Sequence, residues 1–505
     1  MNARGRGEVL ALIAGLSYPL AFAPFGYYPI GIGALAVLFW SWIHVRPRRA
    51  FARGFLFGIG MFGVGVSWVF ISIHHYGGVD VVLSSFLTLL FILFLSLFPG
   101  CAGWIAARAL ASVQRGAYRL ASVAIFAGVW CLTEWVRGWF LTGFPWLEIG
   151  YSVIDAPLGG LAPVIGVYGV TLAAAATSAM VQAALVSQGG LVRGGYLVAM
   201  VSLWLVGALL AHVEWSAPHG ESLKVSLMQG NIPQEVKWQG DMREPTIELY
   251  TAMSEAHWDS DLQIWPESAL PLMYYQAQPI LDALGEEARA HDTDILLGLI
   301  YQRPDSPEYY NSMISVGTQA GVYHKRHLVP FTEYLPLKSV FAGLVDFMAV
   351  PMSDFSSGSA EQAPLAVRGQ RIGISICFED AFGEEVIDSL PAATLLVNVS
   401  NDAWFTGSIA PAQHLQIARM RALETARPLL RATNTGLTAA IDRHGRIRAV
   451  APQDEAYVLT TEVQPRVGMT PYARLGNAPA VVVASLLVIL PWMRSLRGRK
   501  ARRSG

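Results

Sequence analysis

Long apolar stretches separated by short polar loops occupy the first 213 residues, and one more apolar stretch lies near the C-terminus. A helix needs about 20 apolar residues to cross the roughly 30 Å of hydrocarbon in a bilayer. The pattern therefore predicts a bundle of eight transmembrane helices. The predicted spans are Val9–Ala23, Tyr28–Val45, Phe55–Ile73, Val81–Ala107, Leu120–Phe140, Leu161–Val186, Tyr196–Val213 and Ala478–Met493.

The first of these spans is short and ends in Ala21-Phe22-Ala23, which also fits a signal-peptide cleavage site. Pro24 follows directly, however, and further spans come after it. A cleaved signal peptide is not normally followed by a row of membrane segments, so we assign this stretch to the membrane.

Residues 214–474 are more polar and have a different pattern, in which short β-rich runs alternate with helix-like stretches. The predicted strands are Lys224–Met228, Leu262–Trp265, Ile295–Ile300, Met313–Val316, Arg371–Ile376, Leu395–Val399 and Leu437–Ile441. The predicted helices are Thr246–His257, Ile280–His291 and Ala412–Ala426. An α/β sandwich is the fold class that such alternation indicates. We therefore predict membrane helices in 1–213, a catalytic domain in 214–474, and a last helix with a basic tail in 475–505.

Composition supports this division, because 53% of the residues are hydrophobic and only 14% are charged. Lys and Arg of short loops tend to face the cytoplasm. One set of loops and termini holds nearly all of them: Arg4, Arg6, Arg46, Arg48, Arg49, Arg53, Arg108, Arg115, Arg119, Arg193 and the tail from Arg494 to Arg503. Both termini are thus predicted in the cytoplasm, and the polar domain on the outer side. The net charge of -1 gives no indication of a nucleic-acid partner.

The three cysteines differ in their surroundings. Cys101 and Cys131 lie in apolar runs, where a thiol usually behaves as a small hydrophobic group. Cys377 ends a predicted strand and is followed by Phe-Glu-Asp. Taken alone, Cys377 also fits a buried core thiol. The spacing of the three matches neither a disulfide framework nor a metal site.

Two other segments change that interpretation. Glu267, in Trp-Pro-Glu-Ser, comes at the end of a predicted strand, where a carboxylate can accept a thiol proton. Lys325 stands at the end of another β-like run, and an ammonium near a thiol stabilises both a thiolate and an oxyanion. By itself Glu267 fits a solvated loop glutamate equally well, and a basic cluster such as Lys325-Arg326-His327 is more often a solvated face.

The order Glu267, Lys325, Cys377 resembles the Glu-Lys-Cys triad of the nitrilase superfamily, and with the apolar helices it resembles the bacterial apolipoprotein N-acyltransferase family. That resemblance covers nearly the whole chain. Further segments similar to the family are Phe144-Pro-Trp-Leu-Glu-Ile-Gly-Tyr, Gly166-Val-Tyr-Gly, Gln229-Gly-Asn-Ile, Ser400-Asn-Asp-Ala-Trp-Phe, Gln413-His-Leu-Gln-Ile-Ala-Arg-Met-Arg-Ala-Leu-Glu and Thr470-Pro-Tyr-Ala-Arg-Leu-Gly-Asn. The implied fold is a membrane helix bundle plus a nitrilase-like α-β-β-α sandwich.

The resemblance also implies roles. Glu267 would be the general base, Cys377 the nucleophile and Lys325 the cation that stabilises the oxyanion. Supporting roles would fall to Glu333, as a second carboxylate, and to Glu379, beside the nucleophile.

Trp238 matches a tryptophan that the family uses near its substrate, although composition alone fits a core anchor equally well. Two positions depart from the family pattern. Phe378 stands where many relatives have tyrosine, so a hydroxyl there is in doubt, but its backbone N–H can still complete an oxyanion hole. Thr332 replaces an expected glycine before Glu333.

The implied reaction is a two-step acyl transfer through a Cys377 thioester. The donor would be the sn-1 chain of a phospholipid, expected to be phosphatidylethanolamine, and the acceptor the α-amine of a diacylglyceryl-cysteine on an apolipoprotein. We expect an enzyme of the bacterial inner membrane with a periplasmic catalytic domain, working as a monomer without cofactor or metal. Val340–Met352, an apolar segment inside the polar domain, fits either a lid that dips into the leaflet or core packing.

Two other functions remain open at this point. A membrane-tethered amidase would use the same triad to hydrolyse a small amide. A transporter or receptor would use the outer domain only for binding, although the predicted helices contain few ionisable residues beyond Glu134 and Arg137, whereas translocation paths usually need more.

Overall fold

The computed structural model describes residues 3–111, 113, 118–334 and 354–501. The predicted lid, Val340–Met352, lies outside the described residues. The chain forms two compact units. One comprises Met1–Phe70, Asp80–Val213 and Arg474–Gly505, and the other comprises Ile71–Val79 and Glu214–Ala473.

The first unit is helical. Its longer helices are α1 (Ala3–Ser17), α2 (Tyr28–Trp42), α3 (Pro47–Gly65), α4 (Val81–Ala111), α5 (Tyr118–Arg137), α6 (Ala162–Val186), α7 (Gly190–Leu210) and, last in the chain, Ala478–Ala501. Among the described residues, 4 helices are long and apolar enough to cross a membrane, or up to 5 if a bent pair counts as one span. That pair is Pro47–Gly65 and Val69–Tyr76, bent by 59°. Tyr28–Trp42 and Ala478–Pro491 are apolar but shorter.

Glycines allow α3 and α4 to pack closely. A Cβ on Gly54 would lie 2.0 Å from the Pro99 carbonyl oxygen, and one on Gly58 would lie 2.7 Å from the Ser96 Cα. Small residues at such crossings let helix backbones approach, which is how helices associate in a membrane. The helix that contains Phe55 begins at Pro47, earlier than predicted, because proline is well suited to the first position of a helix.

The second unit contains two six-stranded sheets. Its strands are β1 (Ala217–Pro218), β2 (Leu223–Gln229), β3 (Leu262–Ile264), β4 (Asp294–Gln302), β5 (Tyr309–Val316), β6 (Gly321–His324), β7 (Leu365–Val367), β8 (Gln370–Ile376), β9 (Leu395–Ser400), β10 (Leu429–Thr433), β11 (Ala439–Ile441), β12 (Ile447–Val450), β13 (Tyr457–Val463) and β14 (Arg466–Val467). The first sheet has the order β13-β2-β3-β4-β5-β6 and the second β12-β11-β10-β9-β8-β7. Strands β2, β3 and β4 run parallel, as do β8, β9 and β10.

The two sheets pack face to face and each is covered by helices on its outer face. Inward side chains such as Leu227 and Val397 form the core between the sheets. Outward side chains of the first sheet pack against helices α8 (Arg243–Glu255) and α9 (Tyr274–Ala290). Those of the second sheet, such as Leu396, pack against α10 (Ala410–Thr425). Strands buried on both faces read as continuous apolar runs, which is why the pattern located them.

The α-β-β-α sandwich predicted for this region is confirmed. Several strands were not predicted, among them β6, β7, β10, β12 and β13. β6 and β7 are short, β12 and β13 have exposed positions, and the apolar run of β10 is interrupted by Arg431. The membrane unit is confirmed only as a set of apolar helices, and the first of these ends at Ser17, before the predicted limit of Ala23.

Candidate active site

The three residues of the predicted triad each follow a strand of the sandwich. Glu267 comes after β3, where Trp265 and Pro266 end the ladder, and Ser268 beside it has a positive φ of 49°. Gly298 on β4 makes room for this turn, because a Cβ there would lie 2.5 Å from the Pro266 carbonyl oxygen and 2.9 Å from the Glu267 Cα. The ends of strands are where α/β proteins place their functional groups.

Lys325 follows β6 and is 1% exposed. Its ammonium nitrogen lies 2.9 Å from the Glu333 Oε1 and 3.7 Å from the Glu267 Oε1. Burial alone would lower the pKa of this ammonium, but the carboxylates of Glu333 and Glu267 outweigh burial and raise it above its usual range. Lys325 is therefore a permanent cation.

An asparagine that the sequence did not point to connects the two carboxylates. The Asn311 side-chain amide, on β5, donates to Glu267 Oε1 at 2.7 Å and to Glu333 Oε1 at 3.1 Å. The remaining oxygen of Glu267 accepts from the Asn401 backbone N–H at 2.9 Å, and that of Glu333 from the Val329 N–H at 2.7 Å. Both carboxylates are thus held in place, and each is 8% exposed.

Cys377 begins a short 3-10 turn, Cys377–Ala381, directly after β8. Its φ is 53°, in the left-handed region that side chains other than glycine rarely adopt. The side chain is partly buried. Burial, together with the Glu267 charge, raises the pKa of the Cys377 thiol above its usual range, although Lys325 acts to lower it. The thiol is therefore protonated in the resting protein.

Glu379 links the Cys377 turn to the Lys325 loop. Its Oε2 accepts from the Ile376 N–H at 2.7 Å, and its Oε1 from the Arg326 N–H at 2.7 Å and the His327 N–H at 3.2 Å. Burial raises the pKa of this carboxyl to about 7. Glu379 contacts the backbone on either side of the reacting groups, which indicates a supporting position.

A buried charged group lies beneath the Cys377 turn, and we call it the backing cluster. Its members are Asp380, Asp402, His414 and Arg431. His414 contacts Asp380 through Nε2 at 3.0 Å and Asp402 through Nδ1 at 3.1 Å, while an Arg431 nitrogen lies 2.9 Å from Asp402. Burial and Arg431 act to lower the pKa of His414, but the two aspartates raise it to about 9. With His414 protonated, the two positive charges of His414 and Arg431 balance the two negative charges of the aspartates.

The other predicted site residues take more varied positions. Trp238 lies in a turn after β2 and is 39% exposed, which suits contact with a substrate better than a core role. Its neighbour Lys237 is 1% exposed and donates to the Glu267 carbonyl oxygen at 3.3 Å. Burial lowers the pKa of Lys237 to about 8.

The two departures from the family pattern are accommodated locally. The Phe378 ring packs against Phe382 and His327, with centroids 5.1 and 5.8 Å apart, so the position is filled by aromatic contacts. In the turn before Glu333, the described residue with positive φ is Phe331, at 64°, rather than Thr332. A glycine is therefore not needed at Thr332.

Comparison with known proteins agrees with this geometry. Residues 14–180 match the model of the apolipoprotein N-acyltransferase N-terminal domain, and residues 224–472 match that of carbon-nitrogen hydrolases. The apolipoprotein N-acyltransferase of Methylococcus capsulatus is 45% identical over 97% of this chain and 97% of its own length. The chain belongs to the apolipoprotein N-acyltransferase family.

Other relatives extend the comparison. The apolipoprotein N-acyltransferase of Nitrosomonas europaea is 42% identical over 97% of this chain and 98% of its own length. Among solved structures, a carbon-nitrogen hydrolase from Helicobacter pylori G27 is 15% identical over 54% of this chain and 94% of that chain, with a TM-score of 0.36.

Within this family member, the sequence pointed to the charged residues of the site but missed Asn311, Lys237 and the backing cluster. Asn311 carried a usable signal, since an amide inside a strand of buried side chains requires a polar partner. Lys237 is adjacent to Trp238, which is a predicted substrate contact, but nothing in the sequence marks Lys237 itself as buried. Asp402 and His414 fall in the segments that resemble the family, but nothing in their spacing shows that they meet under Cys377.

Proposed function

We propose that this chain is an apolipoprotein N-acyltransferase that moves an acyl chain from a phospholipid to the α-amine of a diacylglyceryl-cysteine. The observation that carries the proposal is the buried Glu267–Lys325 pair, whose charges both act on the Cys377 thiol, in a chain that also contains membrane-length apolar helices. Thiol, base and permanent cation are what acyl transfer through a covalent intermediate requires.

In the first step, Glu267 takes the thiol proton as Cys377 Sγ attacks the ester carbonyl carbon of the donor. The carbonyl oxygen becomes an oxyanion, which Lys325 and the Phe378 N–H stabilise. The ester C–O bond then breaks, and Glu267 returns the proton to the departing oxygen of the lysophospholipid. The acyl group remains on Cys377 as a thioester.

In the second step, the acceptor amine attacks the thioester carbon and Glu267 takes one proton from the amine. The C–S bond breaks, the amide forms, and the proton returns to the Cys377 sulfur. A carboxylate suits both steps because it only relays protons. Glu333 and Asn311 hold Lys325 and Glu267 throughout, and Trp238 contacts the substrate at the exposed side.

The membrane arrangement is part of the proposal. Eight helices would cross the inner membrane, with residues 1–213 and 475–505 forming the bundle and residues 214–474 forming the periplasmic domain. The distribution of arginine among the loops supports cytoplasmic termini. The donor would be phosphatidylethanolamine, met in the same leaflet, and the enzyme would act as a monomer.

The test uses purified protein in vesicles of phosphatidylethanolamine that carries a labelled sn-1 acyl chain. We expect the acyl mass on the Cys377 peptide when no acceptor is present, and its transfer to a synthetic diacylglyceryl-cysteine peptide once that is added. Cys377→Ala should form neither adduct nor product. N-acyl product without an adduct would contradict the covalent route, and rapid release of free fatty acid with the acceptor present would indicate a hydrolase.

A further inference from the structure

One peptide group of the nucleophile turn is held by side chains beneath it. The Cys377 carbonyl oxygen lies 3.2 Å from His414 Nε2 and 3.3 Å from the Asn398 side-chain nitrogen. His414 comes from α10 and Asn398 from β9, so the oxygen is contacted from two elements. The nitrogen of the same peptide group belongs to Phe378.

A trans peptide group is planar, and its C=O and N–H point in opposite directions. Holding the carbonyl oxygen of Cys377 toward His414 and Asn398 therefore directs the Phe378 N–H away from them. A rotation of this one peptide plane would turn the N–H by about half a turn while leaving the Cys377 side chain nearly in place. The direction of the Phe378 N–H, which can donate to an oxyanion, thus depends on the contacts that hold the Cys377 carbonyl oxygen.

The conformation of Cys377 needs support from its surroundings. Cys377 has a φ of 53°, and a side chain in this region costs of order 1–3 kcal/mol. Neighbouring contacts must maintain the conformation, since strained residues persist only when their surroundings hold them. The hydrogen bonds to the carbonyl oxygen are contacts of this kind.

The two donors are themselves fixed. His414 is 5% exposed and is held between Asp380 and Asp402. Asn398 is fully buried, its nitrogen lies 3.0 Å from the Ser375 Oγ, and its oxygen accepts from Arg431. Neither side chain can turn away from Cys377 without leaving a buried polar group unpaired, which costs about 1–3 kcal/mol.

We propose that His414 and Asn398 lock the Cys377–Phe378 peptide group so that the Phe378 N–H faces the oxygen of the acyl group being transferred. Both are positioning residues, because they act through the peptide group and not on the substrate. This inference rests on the proposed acyl transfer. It assigns the backing cluster to oxyanion stabilisation, whereas a role in stability alone, for example through the His414–Asp380 contact, would change the unfolding free energy and leave the acylation rate and the acyl carbonyl band of the folded protein unchanged.

A pair of amide substitutions separates these roles. In His414→Gln the amide nitrogen can take the position of imidazole Nε2, which contacts both the Cys377 carbonyl oxygen and Asp380. In His414→Asn it can take only the position of Nδ1, which faces Asp402 and Arg431. Asn398→Asp is a second test, because it keeps an oxygen for Arg431 but replaces the donor to the Cys377 carbonyl with an acceptor. His291→Gln, at an exposed histidine after α9, is the matched control.

The first measurement is the single-turnover rate of Cys377 acylation in phosphatidylethanolamine vesicles. Loss of one oxyanion donor typically costs about 10²-fold, so we expect about that loss for His414→Asn and Asn398→Asp, at unchanged KM for the donor. His414→Gln should stay within about tenfold of the natural protein, since its donor is retained. Equal Cys377 acylation rates for the folded His414→Asn and His414→Gln proteins would overturn the proposal.

The second measurement is the infrared carbonyl band of the acyl-enzyme, made with donor labelled with carbon-13 at the ester carbonyl. A donor N–H weakens the C=O bond, so the band should move to higher frequency in His414→Asn and Asn398→Asp and not in His414→Gln. An unshifted band in a slow variant would also overturn the lock. If the natural protein forms no acyl-enzyme at all, the proposed function fails instead. Should His414→Asn not fold, the other two variants decide.

Discussion

Replacing Glu333 with glutamine tests how the buried Lys325 ammonium is shared between the carboxylates of Glu333 and Glu267. In the structure, Lys325 Nζ lies closer to Glu333, at 2.9 Å, than to Glu267, at 3.7 Å. The shared Glu333 Oε1 also accepts from Asn311. Without the Glu333 charge, Glu267 is the remaining carboxylate beside the ammonium, and the pair should tighten. A base that is paired more tightly with a cation accepts a thiol proton less readily.

The size of the expected rate loss follows from the hydrogen bond that Lys325 would transfer from Glu333 to Glu267. A hydrogen bond to a charged group contributes about 1.5–3 kcal/mol. If most of this strengthens the Lys325–Glu267 pair in the resting enzyme, the barrier to thiol deprotonation rises by about 2.7 kcal/mol, which is about 10²-fold in rate. We therefore expect Glu333→Gln to form the Cys377 thioester about 10²-fold more slowly, with the KM for phospholipid unchanged.

The assay is single-turnover acylation from labelled phosphatidylethanolamine, quenched in acid and followed by mass spectrometry of the Cys377 peptide. Glu361→Gln, at an exposed carboxylate in the same domain, is the matched control and should acylate at the natural rate. Folding is checked by the thermal unfolding midpoint in detergent. A folded Glu333→Gln protein with natural acylation would refute the reasoning, as would a loss confined to KM.

Three further predictions concern the surroundings of the site. Gly298→Ala should abolish most acyl transfer, because the added Cβ would lie 2.5 Å from backbone atoms of the Glu267 turn. Gly285→Ala is the control and should be active, since its Cβ would lie no closer than 3.4 Å to any neighbouring atom. Lys237→Met should raise the unfolding free energy at pH 7 by about 2 kcal/mol. Burial lowers the pKa of Lys237 to about 8, and the cost of burying its charge disappears in the variant, whereas loss of the hydrogen bond to the Glu267 carbonyl oxygen removes about 1 kcal/mol. Acyl transfer by this variant should fall. The raised pKa of His414, about 9, means that its contribution to stability is complete below the ordinary value of 6.5 and is lost as pH rises through about 9. The loss of unfolding free energy across that range should be about 3 kcal/mol larger in the natural protein than in His414→Gln, because the other groups that titrate there, such as Lys237, are common to both proteins; equal slopes would contradict the assignment.

Much of the fold follows from the order of apolar and polar residues. Runs such as Leu395–Val399 are buried on both faces and therefore stay apolar, so the strands of the sandwich were recognisable. The edge strand β12, by contrast, has exposed positions and no such run. Long apolar helices were equally visible, but their ends were not, since the apolar pattern continues past the bend after Gly65 and does not mark it.

The sequence by itself determined the chemical types at the site: a carboxylate, an ammonium and a thiol, each after a strand, with Glu267, Lys325 and Cys377 in the family order. Only the tertiary structure decided which groups share a hydrogen bond. Asn311 joins two carboxylates that lie far apart along the chain, and His414 reaches the carbonyl of Cys377 from another helix. Periodicity reports which face of an element is buried, but it carries no information about which buried polar groups meet across two sheets. That pairing is set by the register and packing of distant strands.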